Sequence, residues 1–426
     1  MHKVSDNITP KEGRLMQTLR TKIFRPREPW EKNLIVLWFS LFANGMAFSE
    51  IMPFMSLYID TLGKFTKNQL NFYSGLIFSI TFLVLAVISP LWGKLADRYG
   101  RKPMIVRASV GMTIIITSMG FVTNVWQLFA LRFIQGIFSG YSSNVNALIA
   151  TEAPKEKSGM ALGTLMAGFT GGNLLGPLVG GFLSSTFNYR VTFMVTGCLL
   201  LFEAILTIFF VHETNFHPVE AKKLSSTKQV FKALKNPQMI IGLITTTLII
   251  QAANNSITPI ISLYVRELMH HTGDVTMVSG VVAAAPGVAT IIAAPMLGRL
   301  GDRIGTERIL SIGFILAICF FIPTAFVTNI WELGILRFLV GISDATMLPQ
   351  VQTLLTKNTP NEITSRIFSW NQSFQSLGNV IGPMLGAFVA GYFDYGGVFL
   401  STALLVALNF VLFRINVAST KHAKIS

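Results

Sequence analysis

The chain has 426 residues, of which 51% are hydrophobic and only 13% are charged, and its formal net charge is +14. A soluble domain carries about a quarter charged residues, so this composition excludes an ordinary soluble protein and is typical of one that crosses a membrane many times. Two cysteines, Cys198 and Cys319, fall in different apolar segments. They predict neither a disulfide framework nor a metal site.

The chain opens with a polar segment, residues 1–33, that carries eight Lys and Arg residues. It has no short apolar core followed by a small-residue cleavage site, so we do not expect a cleaved secretory signal. We predict a cytoplasmic tail.

Twelve apolar segments follow, each long enough to cross a bilayer as a helix of about 20 residues. They predict an all-α membrane protein with two six-helix bundles, residues 34–211 and 239–416, joined by a polar cytoplasmic linker, residues 212–238, and followed by a tail, residues 417–426. The segments lie at roughly 34–59, 73–92, 104–123, 127–150, 160–183, 191–211, 239–264, 276–297, 309–327, 331–354, 366–389 and 395–416.

Basic residues are distributed unevenly between the two sides of this topology. With the N-terminus inside, 28 of the 34 Lys and Arg residues are cytoplasmic, four are outside, and Arg132 and Arg337 are within the membrane. This is the positive-inside pattern, so we expect both termini in the cytoplasm. Because the charge follows the membrane rather than forming one patch, we expect lipids and not nucleic acid as its partners.

The two halves of the chain repeat one another. FVTNVWQLFALRFIQG (121–136) returns as FVTNIWELGILRFLVG (326–341) with ten of sixteen positions identical, and GNLLGPLVGG (172–181) returns as GNVIGPMLGA (378–387). Corresponding segments are six crossings apart, an even number, so the halves run in the same direction. We therefore expect an axis along the membrane normal to relate them, as in transporters built from parallel repeats.

The loop between the second and third segments, GKLADRYGRK (93–102), places one acid among several cations and has glycines where tight turns are needed. Its counterpart is GRLGDRIG (298–305). We predict a conformational latch whose ion pairs form in one state and break in another. The alternative is an ordinary basic loop. The latch would comprise Gly93, Asp97, Arg98, Gly100, Arg101, Asp302 and Arg303.

Three motifs resemble those of the major facilitator superfamily: the loop above, LRFIQGIFSG (131–140) in the fourth segment, and GFTGGNLLGPLVGG (168–181) in the fifth, which resembles the motif of drug:proton antiporters. The stretches 153–165 and 47–59 resemble the MdtG-type multidrug resistance proteins. The resemblance implies a major facilitator fold and a monomeric, proton-coupled multidrug efflux antiporter of the bacterial cytoplasmic membrane. The alternative is an importer or facilitator of a small polar nutrient on the same fold.

Small residues leave one side of the fifth segment nearly bare, which lets helix backbones pack closely in lipid. Proline removes a backbone hydrogen bond and bends a helix. We predict that this segment is a gating helix, the alternative being static packing. The prediction rests on Gly172, Gly176, Pro177 and Gly180.

Ionisable residues inside a membrane are costly and usually functional. Glu50 and Arg132 would meet if the first and fourth segments are neighbours, as the resemblance implies. We predict Glu50 as the proton carrier and Arg132 as its modulator, with Asp344 as the second proton candidate. The alternative is a fixed ion pair. For Glu203, a structural hydrogen bond is expected.

Polar side chains at helical spacing predict polar faces on the fourth, seventh and eleventh segments, which would line one cavity. Methionine and aromatic residues nearby suit drugs of varied shape, although ordinary packing is the alternative for each one. The candidate substrate-binding residues are Met46, Phe54, Gln135, Ser139, Ser143, Asn146, Gln251, Asn254, Asn255, Met347, Trp370, Gln372 and Gln375.

The chain has no phosphate-binding loop and none of the common hydrolase or metalloprotease motifs. We therefore expect a secondary active transporter of small-molecule drugs and protons. It should not be an enzyme, and it should need neither a cofactor nor a metal.

Overall fold

A computed structural model describes residues 28–214, 234, 236–360 and 363–422. Most of the predicted tail 1–33 and linker 212–238, and residues 423–426, lie outside the described residues. The regular secondary structure of the described part is helical.

The described part of the N-terminal half contains eight helices. They are α1 Pro29–Glu50, α2 Met55–Thr61, α3 Lys67–Tyr99, α4 Arg101–Met119, α5 Val125–Phe138, α6 Tyr141–Glu152, α7 Lys155–Thr186 and α8 Tyr189–Phe210.

The described part of the C-terminal half contains six helices. They are α9 Pro237–Ile257, α10 Ile261–Leu268, α11 Val275–Ile304, α12 Thr306–Thr324, α13 Ile330–Asn358 and α14 Thr364–His422.

These helices form the twelve predicted membrane spans, numbered here in chain order. Three spans are broken into two helices: span 1 (α1 and α2, which meet at 50°), span 4 (α5 and α6) and span 7 (α9 and α10). α14 supplies spans 11 and 12, because its backbone leaves the helical conformation at Phe393 and Asp394. By length and hydropathy alone, six described helices qualify as spans, or seven when α1 and α2 are counted as one.

Local sequence signals explain where several helices begin. The Asn124 side chain accepts a hydrogen bond from the Gln127 amide at 3.0 Å, and Asn329 does the same for Glu332 at 3.0 Å. Each asparagine satisfies one of the free amides at a helix start. The two caps are 205 residues apart, so the repeat extends to the capping residues of spans 4 and 10.

Glycine faces hold the first and fifth spans together in each half. A Cβ atom at Gly172 would fall on the carbonyl of Phe42 in α1, and a Cβ at Gly378 would lie 2.5 Å from the carbonyl of Leu248 in α9. Such close backbone approach is possible only without a side chain. The relationship of span 5 to span 1 is therefore repeated by span 11 and span 7.

The two halves touch through spans 2 and 11 and through spans 5 and 8. Ser79 donates to the Val380 carbonyl at 2.8 Å, Tyr189 and Thr276 share a hydrogen bond of 3.3 Å, and Ser56 donates to the Pro259 carbonyl at 2.6 Å. These contacts lie toward the end that is outside in the predicted topology. Near the opposite end, a Cβ at Gly93 or Gly298 would meet no atom within 4 Å, so nothing packs against these two glycines.

Candidate functional site: a cavity between the two halves

A cavity of about 360 Å³ lies between the halves and takes its walls from spans 1, 2, 5, 7, 8, 10 and 11. Its surface is mostly apolar, with a few polar groups, which is the usual character of a small-molecule site. The polar and charged lining residues are Ser49, Thr170, Asn173, Asn255, Thr258, Thr290, Arg337 and Asp344.

The C-terminal wall of the cavity carries a cluster of opposite charges and amides. Asp344 accepts a hydrogen bond from the Asn254 side chain at 3.1 Å and interacts electrostatically with Arg337, two turns earlier on α13. Asn255 donates to Asn379 at 3.0 Å. Asp344 and Arg337 both retain partial exposure, because their remaining surface opens into the cavity. A charged pair in a largely apolar chamber can select ligands by charge.

Glu50 ends α1 at the bend of span 1 and is 1% exposed. Its carboxyl group is within hydrogen-bonding reach of the Thr196 hydroxyl in span 6, while its Oε1 atom has no hydrogen-bond partner among the described residues. Gly180 of span 5 lies against the Glu50 backbone. The carboxyl group therefore sits behind the cavity wall, among spans 1, 5 and 6.

The structure does not bring Glu50 and Arg132 together as an ion pair. The Arg132 guanidinium donates to the Ile77 carbonyl at 3.3 Å and to Gln135 Oε1 at 2.8 Å, and it lies 5.8 Å from the Phe78 ring centre. Span 4 therefore directs this cation toward span 2, whereas Glu50 faces span 6. The expected contact between Glu50 and Arg132 is not made in this conformation, and neither is the alternative, a fixed ion pair.

Two predicted substrate residues are packing residues instead. Phe54 is fully buried and stacks on Tyr189 at 5.6 Å between ring centres, with Phe193 edge-on. Met347 is 1% exposed and belongs to the hydrophobic core that α13 forms with α12, near Gly313. Residue type alone cannot separate a cavity residue from a core residue.

The polar face predicted on span 4 bonds largely to its own helix. Gln135 accepts from Arg132, Ser139 donates to the Gln135 carbonyl at 2.7 Å, and Ser143 donates to the Gly140 carbonyl at 2.9 Å. Asn146 follows on α6 and has a buried Oδ1 atom without a hydrogen-bond partner among the described residues.

Among the remaining predicted residues, Asn255 lines the cavity and Asn254 supports Asp344. The others lie on α1, α9 and α14 outside the lining set, namely Met46, Gln251, Trp370, Gln372 and Gln375.

Several lining residues were not predicted. Thr170 and Asn173 lie inside the glycine motif of span 5, and Thr290 lies in the apolar run of span 8. A polar residue that interrupts an apolar span was the available signal, but the span 5 motif was interpreted through its glycines, as a site where helix backbones pack closely.

The predicted latch loop forms its contacts within one half. Asp97 at the end of α3 pairs with Arg101 at the start of α4 at 3.3 Å, and Arg98 lies over the ring of Tyr99. Glu213, which follows span 6, accepts hydrogen bonds at 2.9 Å from the backbone amides of Arg101 and Lys102. In the second half Arg303 is exposed, and the side chain of Asp302 lies outside what the structure describes.

Span 4 breaks between Phe138 and Tyr141, where Gly140 has a φ of 107°. The break frees backbone carbonyls, and Arg107 of span 3 donates to those of Phe138 at 3.4 Å and Ser139 at 3.1 Å. Trp92 of span 2 donates to the Ile137 carbonyl at 2.7 Å, and its ring carries the Arg107 guanidinium at 3.6 Å. The break was not predicted from the sequence, and span 10 is continuous at the equivalent position.

Ion pairs join the halves at the outer end of the cavity. Lys67 contacts Glu267 at 3.1 Å and Asp394 at 2.8 Å, and Arg266 contacts Asp60 at 2.6 Å. Each pair links a residue of one half to a residue of the other. We call these five residues the outer gate.

A repeated twelve-span fold with a charged cavity between its halves is the architecture of a membrane transporter. The sequence profile of the Major Facilitator Superfamily matches residues 37–287 and 249–425. The chain is 49% identical to the multidrug resistance protein MdtG of Serratia proteamaculans strain 568, over 90% of this chain and 93% of that protein. It is 50% identical to MdtG of Rahnella sp. strain Y9602, over 89% and 92%. The chain belongs to the Major Facilitator Superfamily and, within it, to the MdtG-type proteins.

Solved structures show the same fold at low sequence identity. The nucleoside transporter NupG has a TM-score of 0.72 at 15% identity, with 92% of this chain and 99% of that chain covered. A bacterial homologue of the human lysosomal transporter Spinster, inward-facing and unoccupied, has a TM-score of 0.75 at 15% identity, with 92% and 98% covered. The family and the apolar helices place the protein in the bacterial inner membrane as a multi-pass protein.

Proposed function

We propose that the protein exports lipophilic or cationic drugs across the bacterial cytoplasmic membrane in exchange for protons. The observation that carries this proposal is the Asp344 carboxylate, held by Asn254 and Arg337 on the wall of a mostly apolar cavity that is closed at its outer end. The MdtG relatives, which are named multidrug resistance proteins, support drugs as the substrate class.

Asp344 and a cationic drug would compete through charge. When the carboxylate is ionised it attracts a cation, and when it is protonated that attraction is lost. Arg337 stays nearby in both states and prevents the ionised form from being buried alone. Binding of a proton from outside would therefore favour drug release there, which is the order that antiport requires.

Glu50 is the second acid of the proposed coupling. It is buried at the bend of span 1, and its backbone lies under Gly180 of the proposed gating helix. Protonation removes the cost of holding a carboxylate away from water. Movement of span 5 over span 1 would then expose or bury the Glu50 carboxyl group, which links its proton to the conformational change. Arg132, which bonds to span 2 and Gln135, would position span 4 rather than pair with Glu50 in this state.

We infer that the ion pairs of the outer gate stabilise the inward-open state. The loop 93–102 would make its latch contacts with the other half in the opposite state, when the cytoplasmic side closes. Proton entry through a potential of 100 mV supplies about 2.3 kcal/mol per charge for this cycle.

Everted membrane vesicles with an acid interior provide the test. Addition of ethidium should collapse the pH gradient in vesicles with the wild-type protein and fail to do so with Asp344→Asn. Gln352→Ala, a change at an exposed position of the same helix α13, serves as the control and should behave as the wild type. If no drug in a broad panel collapses the gradient in the wild type, drug:proton antiport is contradicted.

A further inference from the structure

We propose that Glu203, buried inside the N-terminal bundle, is a second proton-binding residue that relays protons between Glu50 and the cytoplasmic end of that bundle. This route would be separate from the cavity through which the drug passes. The inference rests on the proposed proton coupling and adds to it a residue and a path.

Glu203 is fully buried in α8. One carboxyl oxygen accepts a hydrogen bond from Asn44 of α1 at 3.2 Å, and the other, Oε1, has no hydrogen-bond partner among the described residues. A structural carboxyl group normally has its hydrogen bonds satisfied. The open oxygen leaves a position where a proton, or a water that carries one, can bind.

A row of polar side chains on α8 leads from Glu203 to Glu50. Thr192, Thr196, Glu203 and Thr207 lie within one face of the helix and are all fully buried. The Thr196 hydroxyl reaches the Glu50 carboxyl group. Thr196 and Glu203 are seven residues apart, or about 10 Å by helix rise, a distance that hydroxyl groups and one or two bound waters can span.

The row continues toward the cytoplasmic end. The hydroxyl of Tyr141 lies 3.2 Å from that of Thr207 and also contacts Ser40 of α1. Two turns further along the same face of α1, Asn33 exchanges hydrogen bonds of 2.6 and 3.0 Å with the backbone of His212, whose side chain is exposed. Polar groups thus occur at intervals from Glu50 to the bundle surface, outside the cavity lining, with gaps of about 10 Å by helix rise between Thr196 and Glu203 and between Ser40 and Asn33 that bound waters would have to bridge.

The groups around Glu203 are neutral or are engaged elsewhere. α1 faces it with the Asn44 amide, and α6 faces it with the phenol of Tyr141, the titratable group that acts on it. The basic residues of α4 contact other groups: Arg101 pairs with Asp97, Lys102 donates to the Ile208 carbonyl, and Arg107 donates to the carbonyls at the break in span 4. On α7, the described cation Lys157 lies near Glu31. None of these described cations therefore pairs with Glu203.

The second half of the protein contains the same positions without the acids. At an offset of 206 residues, Ser256 replaces Glu50 and Thr402 replaces Thr196, and their hydroxyl groups are 3.0 Å apart. Asn409 replaces Glu203 and accepts a hydrogen bond from Thr246 at 3.1 Å. Neutral side chains thus satisfy the packing of these positions. The two acids occur together, in one bundle only, which is what a relay requires and what packing does not.

The relay moves one proton and breaks no other bond. A proton leaves the carboxyl group of Glu50, which becomes a carboxylate, and Glu203 Oε1 gains a proton through the intervening hydroxyl groups and water. The Glu203 carboxyl group then releases its proton toward Tyr141 and the cytoplasmic end and returns to the carboxylate form. Charge is conserved at each transfer, and no oxidant or co-reactant is needed.

Reconstituted proteoliposomes permit the test, because two activities of the same protein can be compared. Uphill ethidium transport driven by a pH gradient requires proton transfer, whereas exchange of labelled for unlabelled ethidium at equal pH does not. Glu203→Gln should lower uphill transport at least tenfold and leave exchange within twofold of the wild type. Glu203→Asp should restore uphill transport with an altered pH profile. The matched control, Asn409→Gln in the other bundle, should leave both activities unchanged.

Each outcome has one meaning. Absence of gradient-driven transport in the wild type contradicts the proposed antiport and the relay with it. Wild-type coupling together with full uphill transport in Glu203→Gln overturns the relay alone. Loss of both activities in Glu203→Gln and in Glu203→Asp indicates a packing role and also overturns the relay.

Discussion

Gly180 of span 5 lies directly on the backbone carbonyl of Glu50, so a Cβ atom at position 180 would overlap that carbonyl. Gly386 of span 11 has the same relationship to Ser256. The glycine–proline motif therefore brings the predicted gating helix into direct contact with Glu50, the residue that we propose to bind the proton.

Gly180→Ala should impair both packing and transport. The added methyl group has no space, and overpacking of this kind costs about 1–3 kcal/mol. We expect a loss of ethidium efflux of at least tenfold and a lower melting temperature in detergent. Gly163→Ala on the same helix is the control, since its Cβ would meet no atom within 4 Å. Equal behaviour of the two variants would contradict a close contact between spans 1 and 5.

The repeat, the twelve spans and the superfamily could be predicted from the sequence, because they depend on hydrophobic segments and motifs that occur in both halves. It also singled out Asp344 as a candidate proton-binding residue, because an ionisable residue inside a membrane is costly, and the structure places that residue on the cavity wall. It could not predict which way a side chain faces. Span 1 meets span 4 mainly through α6, whereas α5, which carries Arg132, packs against spans 2 and 3. Glu50 therefore faces span 6 and Arg132 faces span 2.

Removal of the Lys67 charge should open the outer gate. Lys67 joins the N-terminal half to Glu267 and Asp394 of the other half, and each such exposed pair contributes about 0–1 kcal/mol. Lys67→Ala should therefore shift the population toward the outward-open state by several-fold. A cysteine introduced at Thr258, which lines the cavity, reports the change through labelling by an impermeant thiol reagent from outside.

Both native cysteines are exposed on the protein surface and should first be replaced by serine. The control is Lys64→Ala, which removes an exposed cation at the same end of the protein and should not alter labelling. Unchanged labelling in Lys67→Ala would show that the outer gate is held by apolar packing rather than by its ion pairs.

Asp344→Asn should change the charge preference of the cavity. Arg337 would then face the cavity without its counter-charge, so cationic ligands should bind more weakly than neutral ligands of similar size. A difference of tenfold in dissociation constant corresponds to about 1.4 kcal/mol. Fluorescence titration of the purified protein with ethidium and with a neutral dye measures this ratio. Thr290→Val, an uncharged change in the same cavity, should leave the ratio unchanged; an equal weakening of both dyes in Asp344→Asn would instead indicate a structural role.

The break in span 4 should depend on Trp92 and Arg107. Trp92→Phe removes the hydrogen bond to the Ile137 carbonyl and weakens the support of Arg107, a loss of about 1 kcal/mol. We expect faster amide hydrogen exchange in residues 137–144 and slower transport. Trp126→Phe, at an exposed site near the outer end, is the control and should not alter exchange in that segment. The second half has Leu297 and Ile312 at these positions and an unbroken span 10, which fits a clamp specific to the broken helix.

Alanine substitutions at Gly100 and Gly305 distinguish backbone strain, which is expected at both sites, from a clash with Glu213, which is expected only at position 100. Both glycines start a helix with positive φ, 95° and 100°, so alanine at either site costs about 1–2 kcal/mol through backbone strain. At position 100 the Cβ would also lie 2.7 Å from Glu213 Oε2, whereas at position 305 it would meet no atom within 4 Å. Gly100→Ala should therefore displace Glu213 from the start of α4, where its charge is favourable, and lower the melting temperature more than Gly305→Ala does. Glu213→Gln should lower it as well, and Gly100→Ala in that background should cost less than the sum of the two changes. Additive losses would show that Glu213 and Gly100 do not act on each other.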